Sequence, residues 1–202
     1  MKTWQKWLIG IGAATGIGYL LMRRARAAPP PKAAFYDGFE DGNIEEWTGE
    51  KENFKVQQNL VAEGDYALRV SGLSLEGIRR EVEPPFTGDY ARFFLRASDV
   101  SEQTYVDLGY GPWIQIRDGN IEYRNVRREF VRVTDAEADR WYEIELKDID
   151  YTNNSCELWI DGRKMANITF NPVSEISYVR LNGYRYPSGV EGYFDSVQLG
   201  GG

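Results

Sequence analysis

The chain has no histidine and a single cysteine in its 202 residues. Without an imidazole there is no general base for a His-based catalytic triad and no His ligand of the kind most zinc sites use. Serine-hydrolase and zinc-hydrolase chemistry drop out. A lone cysteine excludes an intramolecular disulfide. Cys156 lies in "SCELWID" on the same face of an alternating strand as Leu158 and Ile160, and reads as a small buried apolar residue. Positive charge is scarce beyond the first 34 residues, which hold six basic and no acidic residues and leave 18 basic against 31 acidic in the remainder. A body this acidic opposes the approach of a phosphate backbone, so no nucleic-acid partner is expected. Long helical periodicity is missing from the body as well. Its best helical candidate, "DAEADR" from Asp135 to Arg140, predicts one short turn or helix.

What the body has is period two. "FKVQQ", "YALRVSG", "ARFFLRA", "WIQIRDGNIEY", "WYEIELKD", "CELWIDG", "ISYVRLNG" and "GYFDSVQL" alternate apolar with polar residues, the pattern of half-buried strands. Asp118-Gly119 and Asp161-Gly162 interrupt these runs with the residue pair that tight hairpins favour. About a dozen short strands with frequent turns predict an all-β, two-sheet antiparallel sandwich.

The head is built differently. "WLIGIGAATGIGYLLM" is followed by Arg23, Arg24 and Arg26 and then by "AAPPPKAA", a semi-rigid spacer. A nucleotide loop fails because no strand precedes "GIGAATGIG" and no amphipathic helix follows. A signal peptide cut after Ala25-Arg26-Ala27 fits less well than an uncleaved span, since arginines directly after an apolar run hinder passage. The parts are thus residues 1–27, a basic-flanked transmembrane helix or signal anchor; 28–34, a Pro-rich linker; and 35–202, the sandwich. Residues 4–22 would meet the lipid bilayer, and Gly12 and Gly16 form a small-xxx-small pair suited to self-association. The excess of positive charge after the span favours a cytoplasmic body. A membrane-containing virus assembled inside its host would reconcile that with display on an outer face.

"YDGFEDGNIEEW" followed by "EGDYALRVSG", then "RWYEIELKDIDYTNNSCELWIDGRKM", then "GVEGYFDSVQL" together resemble the concanavalin A-like, laminin-G-like jelly-roll domains. The resemblance frames the chain from Phe35 to Leu199. It implies a jelly-roll sandwich on a cell or virion surface, with a glycan or a surface protein as partner. It also implies a structural calcium ion at the matching positions Glu40, Asp41 and Asp195, with Asp37 as helper. The same carboxylates equally suit turn caps, and both readings stand.

Some relatives of this fold hydrolyse glucans with paired carboxylates. Glu143 and Glu145 share a strand face here, but Lys147 stands where a third carboxylate would be, and a solvated charged face is the expectation. The chain is therefore read as non-enzymatic. The rival readings are a purely structural envelope or capsid-associated protein and a diverged glycan hydrolase. For binding, aromatics beside glycine or proline are the candidates, because sugar rings stack on aromatic faces. "GYGPW" offers Tyr110 and Trp113; "NGYRYPSG" offers Asn182, Tyr184, Arg185 and Tyr186. The arginine-dense "YRNVRREFVR" could meet an acidic partner or lipid head groups, and with Glu122 and Glu129 nearby reads as an exposed mixed-charge hairpin.

Overall fold

Alternation fixes which side chains share a face, and pairing then stacks those faces into layers. A computed structural model describes residues 33–184 and 186–200. The expected span at 4–22, the Gly12–Gly16 pair, most of the linker and Arg185 lie outside the described residues. Among the described residues no helix is long and apolar enough to cross a membrane.

One sheet contains β1 (Phe35–Asp37), β3 (Phe54–Gln57), β4 (Ala67–Ser71), β6 (Ala91–Ala97), β11 (Tyr142–Asp150), β12 (Ser155–Ile160), β13 (Arg163–Thr169) and β15 (Glu191–Leu199). Its order is β13-β12-β11-β6-β15-β4-β3, with β1 also on β15. The other contains β2 (Thr48–Gly49), β5 (Ile78–Phe86), β7 (Gln103–Leu108), β8 (Trp113–Arg117), β9 (Asn120–Arg124), β10 (Phe130–Asp135) and β14 (Ile176–Tyr184), in the order β10-β9-β8-β7-β14-β5-β2. Every ladder is antiparallel. The fold is thus a two-sheet antiparallel β-sandwich.

Both Asp-Gly pairs make the predicted hairpins. Arg117 pairs with Asn120 and Ile160 with Arg163, leaving two-residue turns in which Asp118, Gly119, Asp161 and Gly162 all have positive φ, as a type I′ turn requires. "DAEADR" ends β10 and continues as a turn, without a helix. The inward halves of the alternating strands meet in one core: Leu68, Phe93, Leu95, Ile144, Leu146, Leu158 and Phe194 from the first sheet face Val106, Leu108, Ile114, Ile116, Ile121, Val179 and Leu181 from the second. Cys156 is buried among them as a free thiol whose pKa burial pushes up to about 12.

The first and last strands of the sandwich pair in the first sheet. On one flank of β15, β4 pairs with Glu191–Phe194 and β1 with Val197–Leu199, so Asp195 and Ser196 fall between them. Asp195 has no solvent exposure, and its Oδ2 accepts the Ala62 and Glu63 amides at 2.8 and 3.0 Å. The other carboxylates expected at a calcium site are also engaged. Asp37 accepts Trp47 Nε1–H at 2.7 Å, the Phe39 amide at 2.8 Å and Arg80 at 2.9 Å. Glu40 accepts the Asp65 and Tyr66 amides, and Asp41 the Asn43 amide. Among the described residues no group of three or more His, Cys, Asp or Glu side chains is gathered to hold a metal ion. Each of the four accepts at least one backbone amide, and Asp37 also accepts Trp47 and Arg80.

Burial outweighs the Glu63, Ala62 and Ser196 amides and raises the Asp195 carboxyl to about 7. Its unfolded value is about 3.9, so the native state holds the extra proton between the two. The stability it contributes is complete below about pH 3.9 and is lost as pH rises through about 7. Asp195→Asn, which keeps the oxygen acceptor, should flatten that fall. Thermal melts of both proteins from pH 5 to 8 check this; parallel pH profiles would contradict it.

Candidate functional site

The outward halves of the second sheet's strands form a grid set by register. One row crosses six strands: Arg79 on β5 lies opposite Arg180 on β14, Arg180 opposite Asp107 on β7, and Asp107 opposite Trp113 on β8. The row continues through Arg124 on β9, whose guanidinium stacks 5.4 Å from the Trp113 ring, to Phe130 on β10. The next row runs Asn182, Tyr105, Gln115, Glu122, Arg132. Cross-strand neighbours stand about 5 Å apart, so each row is a continuous strip of side chains.

This face is sunken. Asp107, Gln115 and Asn182 have no solvent exposure and Tyr105 has 4%, although all four point away from the sandwich core. Asp107 is its organising group. Its carboxylate accepts Arg180 at 3.0 Å, the Tyr178 hydroxyl at 3.3 Å and the Tyr110 amide at 3.0 Å. Loss of water raises its pKa, and Arg180 and the Tyr110 amide oppose that rise. Asn182 donates to the Tyr105 hydroxyl at 3.1 Å, while its Oδ1, like Arg124 Nε and Arg180 Nε, is buried without a partner.

The Tyr110 bond shapes the rim. Gly109 and Tyr110 both adopt φ 64°, and the turn closes through the Gly111 amide to the Leu108 carbonyl at 2.9 Å. Gly109 also packs against the Ile176–Ser177 backbone, where a Cβ would crowd. Tyr110 stands 59% exposed, edge-on to Tyr178 at 5.3 Å and under the Arg180 guanidinium at 5.4 Å. Nine described non-glycine residues have positive φ, and all but Phe39, Tyr110 and Arg128 are Asp, Asn or Ser, the small polar types that tolerate it. Tyr110 and Arg128 line the same cleft. Backbone strain concentrated beside one opening is a pattern of binding sites.

Two clefts flank Tyr110. One, of about 520 Å³, is lined by Gly109, Tyr110, Arg124, Arg128, Asn171 and Val173 among others. The second, of about 460 Å³, includes Leu75, Glu76, Arg79, Tyr110 and Arg180. Both volumes suit a small ligand or a sugar unit.

Of the residues singled out in the sequence, Tyr110, Trp113, Asn182 and Tyr184 come together on this face. Trp113 lies flat on Tyr105 at 4.2 Å, a platform more than a free ring. Asn182 is in the floor, and Tyr184 is half-buried in a smaller cleft with Gln103 and Arg117. Tyr186 is not on the face: it is 4% exposed inside the core, its hydroxyl against Thr104. Gly183 and Gly192 leave out the Cβ atoms its ring would strike. Arg185 lies outside the described residues. Asp107, Tyr178, Arg180, Arg124 and Arg128 complete the site and were not picked out as site residues by sequence reading, although "YRNVRREFVR" had carried the arginine signal.

Glu143 and Glu145 occupy the outer face of the other sheet. Arg92 donates to Glu143 at 2.5 Å, and Glu145 accepts Tyr90 at 3.0 Å and pairs with Lys147 at 3.1 Å. This is the cross-strand charge ladder that alternation predicts.

No family model matches the chain, and no curated protein sequence does. Solved structures do resemble it. A sialidase aligns at 15% identity over 84% of this chain and 19% of its own, with a TM-score of 0.57. The binding domain of botulinum neurotoxin serotype G aligns at 9% identity over 84% of this chain and 47% of its own, TM-score 0.57. An endo-β-1,4-glucuronan lyase from Trichoderma reesei aligns at 17% identity over 83% of this chain and 95% of its own, TM-score 0.55. The chain therefore spans about a fifth of the sialidase and under half of the toxin chain. At such identities the likeness establishes the β-sandwich fold, which enzymes and binding domains share.

Replacing Asp107 strands Arg180 on the floor and unties the Tyr110 turn. Because Arg180 keeps 21% of its side-chain surface in water, Asp107→Ala should cost about 3 kcal/mol, the low end for a broken buried pair. Urea unfolding measures this, and a loss below about 1 kcal/mol, the range of an exposed pair, would contradict it.

Proposed function

We propose that the chain is a non-catalytic glycan-binding domain of the concanavalin A-like, laminin-G-like kind, engaging sugar on the outer face of its second sheet around Tyr110. The observation that carries this reading is an exposed tyrosine held by its turn between two clefts whose linings include Arg79, Arg124, Arg128, Arg180 and Asn171. A sugar ring presents apolar C–H faces to an aromatic and hydroxyls to polar groups of this kind. Presentation at a membrane surface through residues 4–22 belongs to the same reading and rests on the sequence of the head alone.

Support for binding without catalysis comes from the carboxylates. Glycoside hydrolysis needs two of them flanking one bond. No acidic side chain lines the larger cleft and Glu76 alone lines the second, Asp107 is locked beneath the face, and Glu143 and Glu145 are tied to Arg92, Tyr90 and Lys147 on the opposite layer.

Tyr110→Ala removes the stacking ring and no core contact. Glycan-array binding should fall about tenfold, the loss of one aromatic contact worth about 1.5 kcal/mol, while the melting temperature stays near that of the parent. Silence of the parent across the array would sink the reading. So would glycan cleavage that disappears in Glu143→Gln or Glu145→Gln.

A further inference from the structure

We infer that the glycan is acidic, a chain of sugars bearing carboxylate or sulfate groups, with its anion held by Arg124 and Arg128 in the larger cleft. This rests on the glycan-binding reading above and adds the ligand's charge. The described body is rich in acid, yet this cleft contains two guanidiniums and no carboxylate.

Elsewhere on the face the arginines are compensated. Arg180 pairs with Asp107 at 3.0 Å and Arg79 with Glu81 at 2.9 Å. Among the described residues, neither Arg124 nor Arg128 has a carboxylate within ion-pairing distance. The acids of their own hairpin are engaged with neutral amides: Glu122 accepts Gln115 at 2.8 Å and Glu129 accepts Asn125 at 3.1 Å. Asn125 in turn binds the Arg127 and Glu129 amides and so sets the turn that holds Arg128 at φ 65°. The Arg124 guanidinium lies over the Trp113 ring at 5.4 Å, with its Nε buried and unpartnered. Two guanidiniums without an ion-pairing carboxylate, Arg124 feeling Asp107 only beyond ion-pairing distance, stand beside an aromatic surface and match a planar or tetrahedral anion carried on a sugar ring.

The test is calorimetric titration of the full chain, in a detergent that carries no sugar, with three probes: an oligoglucuronate, a sulfated oligogalactan and a neutral oligoglucan. At least one acidic probe should bind ten or more times tighter than the neutral one, and which acidic probe wins identifies the anion. Arg124→Ala and Arg128→Ala should each reduce that binding about tenfold or more. Arg127→Ala, which removes the same charge from the same turn without lining the cleft, should change it less than twofold. Equal binding of the neutral probe, insensitive to Arg124→Ala, would overturn the acidic assignment and leave glycan binding in place. Equal losses in all three arginine variants would overturn the cleft assignment in favour of diffuse charge. No binding of any probe would overturn both readings.

Discussion

Asp107 is a carboxylate with no water around it on the outer surface of a sheet, and the candidate site is organised by what that requires. A buried carboxylate is tolerable only when paired and hydrogen-bonded. Its partners here are Arg180, Tyr178 and the amide of Tyr110. Each fixes something larger than itself. Arg180 is drawn along the face, Tyr178 supports the rim, and the amide bond holds Tyr110 in a turn that its side chain disfavours. Once Tyr110 is upright, the surface on either side becomes two clefts.

Charge divides the molecule in the same place. The first sheet's outer face carries a ladder in which acids and bases neutralise each other across strands, as in Arg92 with Glu63 and Glu143. The cleft beside Tyr110 keeps two guanidiniums that, among the described residues, have no carboxylate within ion-pairing distance. At physiological salt the surrounding acidic surface is screened beyond about 8 Å. The proposed anionic ligand would therefore meet the local arginines at close range and gain little from long-range steering.

The parts of the fold legible in the sequence are those decided by local chemistry. The two Asp-Gly hairpins follow from the positive φ their turns need, and the inward set Tyr142, Ile144 and Leu146 follows from alternation. Strand β5 was hidden because Pro84 and Pro85 interrupt it, and β7 because its outward positions, Tyr105 and Asp107, are buried almost as fully as its inward ones. The site was half legible. Exposed Tyr110 and platform Trp113 announce themselves as aromatics beside glycine and proline. Tyr186 has the same signature but turns inward into space left by Gly183 and Gly192. Asp107 and Arg180 are distant in the chain and meet only because β7 pairs with β14, a fact of topology that no local pattern carries.

Ligand recognition is proposed for the second sheet's outer face, at the Tyr110 rim. Amide chemical-shift mapping by NMR during titration with an acidic oligosaccharide tests it most directly. The account predicts that the largest shifts fall on Tyr110, Gly111, Asn125, Arg128 and Asn171, with Glu143, Glu157 and Lys164 of the opposite layer unmoved. Shifts concentrated on the Glu143–Glu157 ladder, with the Tyr110 rim silent, would contradict it.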